Sequence, residues 1–244
     1  MTVPQPRTWP ELRAYILADL ARYEGTVRGE EYTPPPTPAA ALRLAARHFW
    51  TSPGFKFLVH YRTAKFLRGR GLAYRPLFIL ARLLHGRYFF KYGMDIPLSC
   101  NLGPGVYFGH FGNIIISPDA VVHGQCNIAQ GVTIGVTRRG TNVGAPTLHE
   151  NVWIGANAVV VGNVTLAPGT LVAPLSYVTR STEPDAVLVG VPAQPMNHHG
   201  SAGYVLGKRP ARLPEAALSR RPHLADAFEP ARHAEAPGHQ SALE

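Results

Sequence analysis

Residues 148–178 read LHENVWIGANAVVVGNVTLAPGTLVAPLSYV, and within them Leu148, Ile154, Val160, Leu166, Val172 and Val178 return every six residues. The columns on either side read His149, Gly155, Val161, Ala167, Ala173, Thr179 and Glu150, Ala156, Gly162, Pro168, Pro174, Arg180, so neither is apolar throughout. Working back towards the N-terminus, the same step links Ile116, Val122, Ile128 and Ile134, and before them Ile96, Leu102 and Phe108. A helix repeats at 3.6 residues and a strand at 2. A step of six needs a coil with three flat faces and one inward side chain per face. The pattern is the hexapeptide repeat of a parallel β-helix, in which three hexapeptides make a coil of about eighteen residues and coils stack about 4.8 Å apart.

The repeat occupies residues 95–196. Ahead of it, 1–94 reads as an α-helical N-terminal region. Thr8 with Glu11 three residues on forms a capping box, Pro10 sits in the first turn, and Leu12, Tyr15, Ile16 and Leu20 make an apolar stripe. A Pro-rich linker at 33–38 precedes helical stretches over 39–48, 53–68 and 74–91, rich in Arg, Leu and aromatics. These stretches read as a solvated basic face over a small helical core, or as a surface that meets a membrane or a second copy. The tail, 197–244, is polar and Pro-rich, with a short helix expected at 215–219 and mobility elsewhere.

Composition narrows the function. The chain has 244 residues, 45% of them hydrophobic, and a net charge of +9. No apolar run approaches the roughly 20 residues of a membrane span, and the start lacks the apolar core of a signal peptide, so a cytoplasmic location is expected. The charge would suit nucleic acid, an anionic surface or a phosphorylated small molecule. No nucleic-acid motif accompanies it, which favours a phosphate-bearing cofactor or a lipid-linked partner. The two cysteines, Cys100 and Cys126, each fall four residues after a repeat aliphatic and read as buried core thiols.

Two breaks in the period carry the chemistry. Eight residues rather than six separate Phe108 from Ile116, and the extra pair bulges outward around His110. Fourteen residues separate Ile134 from Leu148 where twelve would keep register, and 135–145 reads as a protruding loop with Arg138 and Arg139 at its centre. Asp95 stands fifteen residues before His110, close to one coil, so the two can share a corner. A carboxylate on one imidazole nitrogen would leave the other free as a general base able to send a hydroxyl against a thioester. His123 and His149 each follow a repeat aliphatic and should point from the coil surface. The histidine spacing shows no paired set, so no metal is expected.

Asp95-Ile96-Pro97, His110 with Gly112, Gln130-Gly131-Val132-Thr133-Ile134-Gly135, Trp153-Ile154-Gly155-Ala156-Asn157-Ala158 and Gly190-Val191-Pro192-Ala193 together resemble the serine acetyltransferase group of hexapeptide acyltransferases over residues 10–196. The resemblance implies a left-handed β-helix, a homotrimer or a dimer of trimers, and acetyl-CoA as donor in the groove between adjacent β-helices of a trimer. It also implies His110 as catalytic base and Asp95 as its partner. The pantetheine would lie against Gly135, Val136, Ala156 and Pro174, and Arg138, Arg139 or Arg180 would meet the CoA phosphates.

Two departures bear on the acceptor. The family carries an Asp immediately before the catalytic His and a His-Pro pair at the end of the protruding loop. Here those positions are Gly109 and Ala145-Pro146. The loss of both polar groups weighs against serine. The motif around His110 and the short, basic helical region resemble the related acetyltransferases of exopolysaccharide, capsule and colanic-acid-type synthesis, which implies a sugar hydroxyl as acceptor, with peripheral membrane contact through the basic helices. Serine O-acetylation for cysteine synthesis is the alternative, and a non-catalytic β-helix scaffold is a third reading.

Overall fold

The computed structural model describes residues 3–29, 35 and 37–207. Four α-helices come first: α1 (Trp9–Arg28), α2 (Pro38–Thr51), α3 (Pro53–Arg68) and α4 (Arg75–Tyr92). Thr8 caps α1 by accepting from the N–H of Glu11. The Glu11 carboxylate reaches back to the N–H of Arg7 at 2.7 Å, one residue earlier than a capping box requires. Gly29 and Gly93 close α1 and α4 in the left-handed region, at φ 70° and 61°. No helix among the described residues is long and apolar enough to cross a membrane. Most of the Pro-rich linker, and the tail beyond residue 207 with its expected helix at 215–219, lie outside the described residues.

The repeat forms a three-faced parallel coil. Its first face stacks Met94–Asp95, Ile114–Ile116, Thr133–Gly135, Val159–Val161 and Tyr177–Val178. The second stacks Asn101–Leu102, Val121–Val122, Thr147–Leu148 and Thr165–Leu166. The third stacks Tyr107–Phe108, Asn127–Ile128, Trp153–Ile154, Leu171–Val172 and Val187–Gly190, with Ala193–Asn197 folding back antiparallel. Register places the six-residue aliphatics in three inward columns, so Leu102, Val122, Leu148 and Leu166 follow one another up the second face. Every aliphatic of the pattern is buried. Each such side chain contributes up to ~1.5–3 kcal/mol, and none can be buried by its own coil alone.

Two corners of each coil turn through left-handed residues. Asn113, Gly131, Asn157 and Leu175, with φ between 53° and 72°, stack at the corner from the third face to the first. Gly105, Gln125, Asn151, Gly169 and Asp185 do the same between the second and third faces. Gly and Asn tolerate this region, whereas Leu175 is strained there.

One register expectation needs correction. Ile134 and Leu148 lie on consecutive faces, so the interval of fourteen spans a single step and the insertion is eight residues, not two. No corner aliphatic was skipped, because the surplus residues leave the coil as a loop that ends before Pro146, whose carbonyl accepts from the N–H of Val121 at 3.0 Å. Thr137 and Gly144 exchange two backbone hydrogen bonds of 2.9 and 3.0 Å, which close the loop on itself.

The helices and the coil share one hydrophobic core, joined through Leu20, Tyr23, Phe55, Phe57 and Phe108. The junction is also polar. Arg62 donates to the Asp19 carboxylate at 3.1 and 3.2 Å and to the carbonyls of Leu102 and Gly103, while the Gly105 N–H donates to Asp19 at 2.8 Å. The Tyr23 hydroxyl donates to the Phe108 carbonyl at 3.0 Å and accepts from its N–H at 3.1 Å. The segment expected to leave the coil at residue 197 stays on it through its described part. Asn127 donates to the Tyr204 carbonyl, the Tyr204 ring lies 5.2 Å from that of Trp153, and Val205 is buried.

Candidate active site

The corner from the third face to the first carries the first break in the period. In the upper coils its ladder runs from the N–H of Asn157 to the carbonyl of Gln130 at 3.0 Å, and from the N–H of Leu175 to that of Ala156 at 2.9 Å. At the lowest step the N–H of Gly131 takes the carbonyl of Gly112 at 2.8 Å. Gly112 thus occupies the position of Gln130, Ala156 and Pro174, and His110 with Phe111 are the two residues expelled. Both are exposed. The Phe111 ring rests edge-on against Tyr92, centroids 5.0 Å apart, which ties the bulge to the end of α4.

His110 therefore sits at the foot of a corner column that continues upward through Gln130, Ala156 and Pro174. Gly135 ends a first-face strand, and Val136 and Arg180 follow such strands, so the three lie at the opposite edge of that face. The eight-residue insertion rises along the same edge. Asn142 donates to the Thr179 carbonyl at 3.0 Å and accepts from the N–H of Asn163 at 3.1 Å, which brings the loop bearing Arg138 and Arg139 beside Arg180. Gly162 is needed at this contact, since a Cβ there would stand 2.8 Å from the Asn142 carbonyl. The residues expected at the donor site thus flank one face of the coil on both sides, with Arg138, Arg139 and Arg180 all exposed.

Asp95 lies on that first face, paired in register with Ile115, and is exposed. It borders a cavity of ≈ 460 Å³ between α4 and the first coil, which Arg82, His85 and Phe89 also line. Among the described residues no hydrogen bond or ion pair joins Asp95 to His110. Both cysteines are free and buried, and burial pushes each thiol up to about 12, which leaves neither as a nucleophile.

A Cβ at Gly109 would stand 3.1 Å from the Tyr107 ring, so a larger residue before His110 would need the ring to shift by a few tenths of an ångström.

The structure also makes a pairing that the spacing hid. His123 and His149 stack with ring centroids 4.9 Å apart and planes 12° from parallel, beside Glu150. They follow Val122 and Leu148, which are register partners. The eight-residue insertion stretches their separation to 26 residues, and removing it returns one coil of eighteen. The expectation of isolated surface histidines is corrected on that ground.

Known proteins complete the picture. Residues 145–180 match the family described as bacterial transferase hexapeptide (six repeats). The serine acetyltransferase of Synechococcus elongatus is 33% identical over 150 residues, covering 61% of this chain and 59% of that protein. The chain is similar to serine acetyltransferases and carries the hexapeptide repeat of bacterial transferases. The Salmonella typhimurium serine acetyltransferase is 29% identical over 148 residues, 61% of this chain and 52% of that protein. The chain thus spans only about half to three-fifths of these curated relatives. Among solved structures, Neisseria gonorrhoeae serine acetyltransferase in complex with serine superposes with a TM-score of 0.59 at 26% identity, covering 78% of this chain and 70% of that one. The soybean enzyme complexed with serine gives 0.57 at 27%, covering 77% and 70%. The Brucella abortus enzyme in complex with coenzyme A shares the fold, at TM-score 0.58 and 23% identity over 79% and 70%.

These likenesses overturn the expected polysaccharide acceptor, because the relatives and structures similar to this chain carry the serine acetyltransferase name.

Proposed function

We propose that the protein is an acetyl-CoA-dependent O-acetyltransferase whose acceptor is serine. The observation that carries this reading is the expulsion of His110 at a corner of a coil similar to serine acetyltransferases solved with serine bound. The His110 imidazole takes the proton of the serine hydroxyl as the oxygen attacks the thioester carbonyl. The tetrahedral intermediate collapses, the C–S bond breaks, and the imidazolium returns its proton to the departing CoA sulfur. No acyl-enzyme is needed. Asp95 would orient the imidazole and stabilise its charged form.

CoA would run up the coil, its pantetheine against Gly135, Val136, Ala156 and Pro174 and its phosphates on Arg138, Arg139 and Arg180, where guanidinium forks suit phosphate oxygens. A homotrimer of left-handed coils, alone or paired with a second trimer, would wall this groove with a neighbouring copy. In this reading the helical region 1–94 forms a base for the acyltransferase domain 95–196. No Asp or Glu stands between Glu31 and Asp95, and α4 exposes Ile79, Leu83 and Phe90 beside Arg82 and Arg87. That combination would suit peripheral contact with an anionic membrane on the cytoplasmic side, where acetyl-CoA is held.

The test is thiol release from acetyl-CoA by the purified protein with and without L-serine. Serine-dependent release that disappears in His110→Ala supports the proposal. Release that ignores serine, or none at all, overturns it.

A further inference from the structure

The corner between the second and third faces, away from the His110 column, holds a donor cluster that acetyl transfer does not use. His123 and His149 stand on successive coils, and the Glu150 carboxylate lies alongside both. One Glu150 oxygen is 3.8 Å from His123 Nδ1 and the other is 3.9 Å from His149 Nδ1. Those separations are too long for hydrogen bonds. The carboxylate is therefore shared between two ring nitrogens and bonded to neither. One donor atom from each of the three residues lies within 4.8 Å of the others.

We propose that His123, His149 and Glu150 bind a divalent transition metal ion, with zinc the best match to two imidazoles and a carboxylate. Zinc holds nitrogen and oxygen donors at ~2.0–2.2 Å, which sets tetrahedral neighbours about 3.4 Å apart. The two carboxylate–imidazole gaps need close by only a few tenths of an ångström. The ring nitrogens come together by tilting one imidazole out of the stack, and the exposure of the side chains, 20%, 17% and 45%, leaves room for it. A neutral imidazole offers one ring nitrogen as a donor. Three protein donors leave a fourth position for water or for a residue of a neighbouring copy.

The ion would pin the second coil to the third at the step where the eight-residue insertion interrupts the chain. Its role is to brace the coil. By mass action, binding to the folded chain raises thermal stability as free metal rises.

The full chain, stripped with chelator, is dialysed against Zn²⁺ and the metal per chain is counted. In parallel, Co²⁺ is titrated while visible absorption reports tetrahedral coordination. One ion per chain is expected, with a rise in melting temperature. His149→Phe and His123→Phe keep a ring in the stack while removing a donor, and each should weaken binding tenfold or more with an unchanged circular dichroism spectrum. Replacing both His198 and His199 by Ala should change nothing. The proposal is overturned if no ion is retained at tens of micromolar free metal, or if His149→Phe and His123→Phe bind as the parent does.

Discussion

The N–H of Gly131 reaches the carbonyl of Gly112 at 2.8 Å, restoring the corner ladder two residues later than the hexapeptide count from Phe108 would place it. His110 and Phe111 are outside that ladder. The imidazole is thus mounted on a rigid coil, yet its position carries no packing duty.

His110→Ala should lower serine-dependent acetyl transfer by ~10²–10⁴-fold, the usual contribution of a positioned general base. An exposed side chain without hydrogen bonds should leave the melting temperature nearly unchanged. Steady-state thiol release and a thermal melt on one sample check both. A fall in activity that tracked a fall in stability would contradict the assignment.

Leu175 holds φ 61° with its side chain 69% exposed, so it bears left-handed strain without a compensating burial. Leu175→Gly should stabilise the coil by about 1 kcal/mol, since Asn and Gly already serve at the equivalent positions of lower coils. Denaturant unfolding would detect the shift in midpoint.

His60, His85 and His123 are each held below the ordinary histidine range, chiefly by burial. A depressed folded pKa means the unfolded chain binds protons first. The stability from these groups is therefore complete above the unfolded value of about 6.5 and is lost as pH falls through the folded values. Melting temperatures measured from pH 7.5 to 5 should fall steadily below about 6.5. A flat profile would show that the three rings are solvated.

Arg62 and Asp19 are both about 1% exposed, and together they hold three backbone groups of the first coil. Asp19→Ala strands a buried guanidinium and should cost roughly 3–5 kcal/mol. Replacing both residues by apolar ones should cost less than the single change. A double-mutant cycle on unfolding midpoints separates the two outcomes.

The six-residue period was legible because an inward aliphatic is demanded once per face, whatever the rest of the chain does. The outward bulge at His110 was legible for the same reason, since two surplus residues cannot enter a closed coil. The longer break was misjudged. A gap of fourteen is compatible with a small insertion spanning two faces or a large one spanning one, and only strand register distinguishes them. That ambiguity also hid the pairing of His123 with His149.

The sequence by itself determined the coil, its three faces and inward columns, the helical region with its Thr8 cap, and the residue expelled at the corner. Each of these follows from short-range spacing and local backbone preference. The tertiary structure alone decided that the insertion is eight residues long and that the loop folds against Asn163 and Thr179. It also decided that Arg62 and Asp19 lock the helices to the first coil, and that His123, His149 and Glu150 share a corner. These depend on which coil lies above which, and that follows from stacking energy summed over the whole solenoid, which no local run of residues specifies.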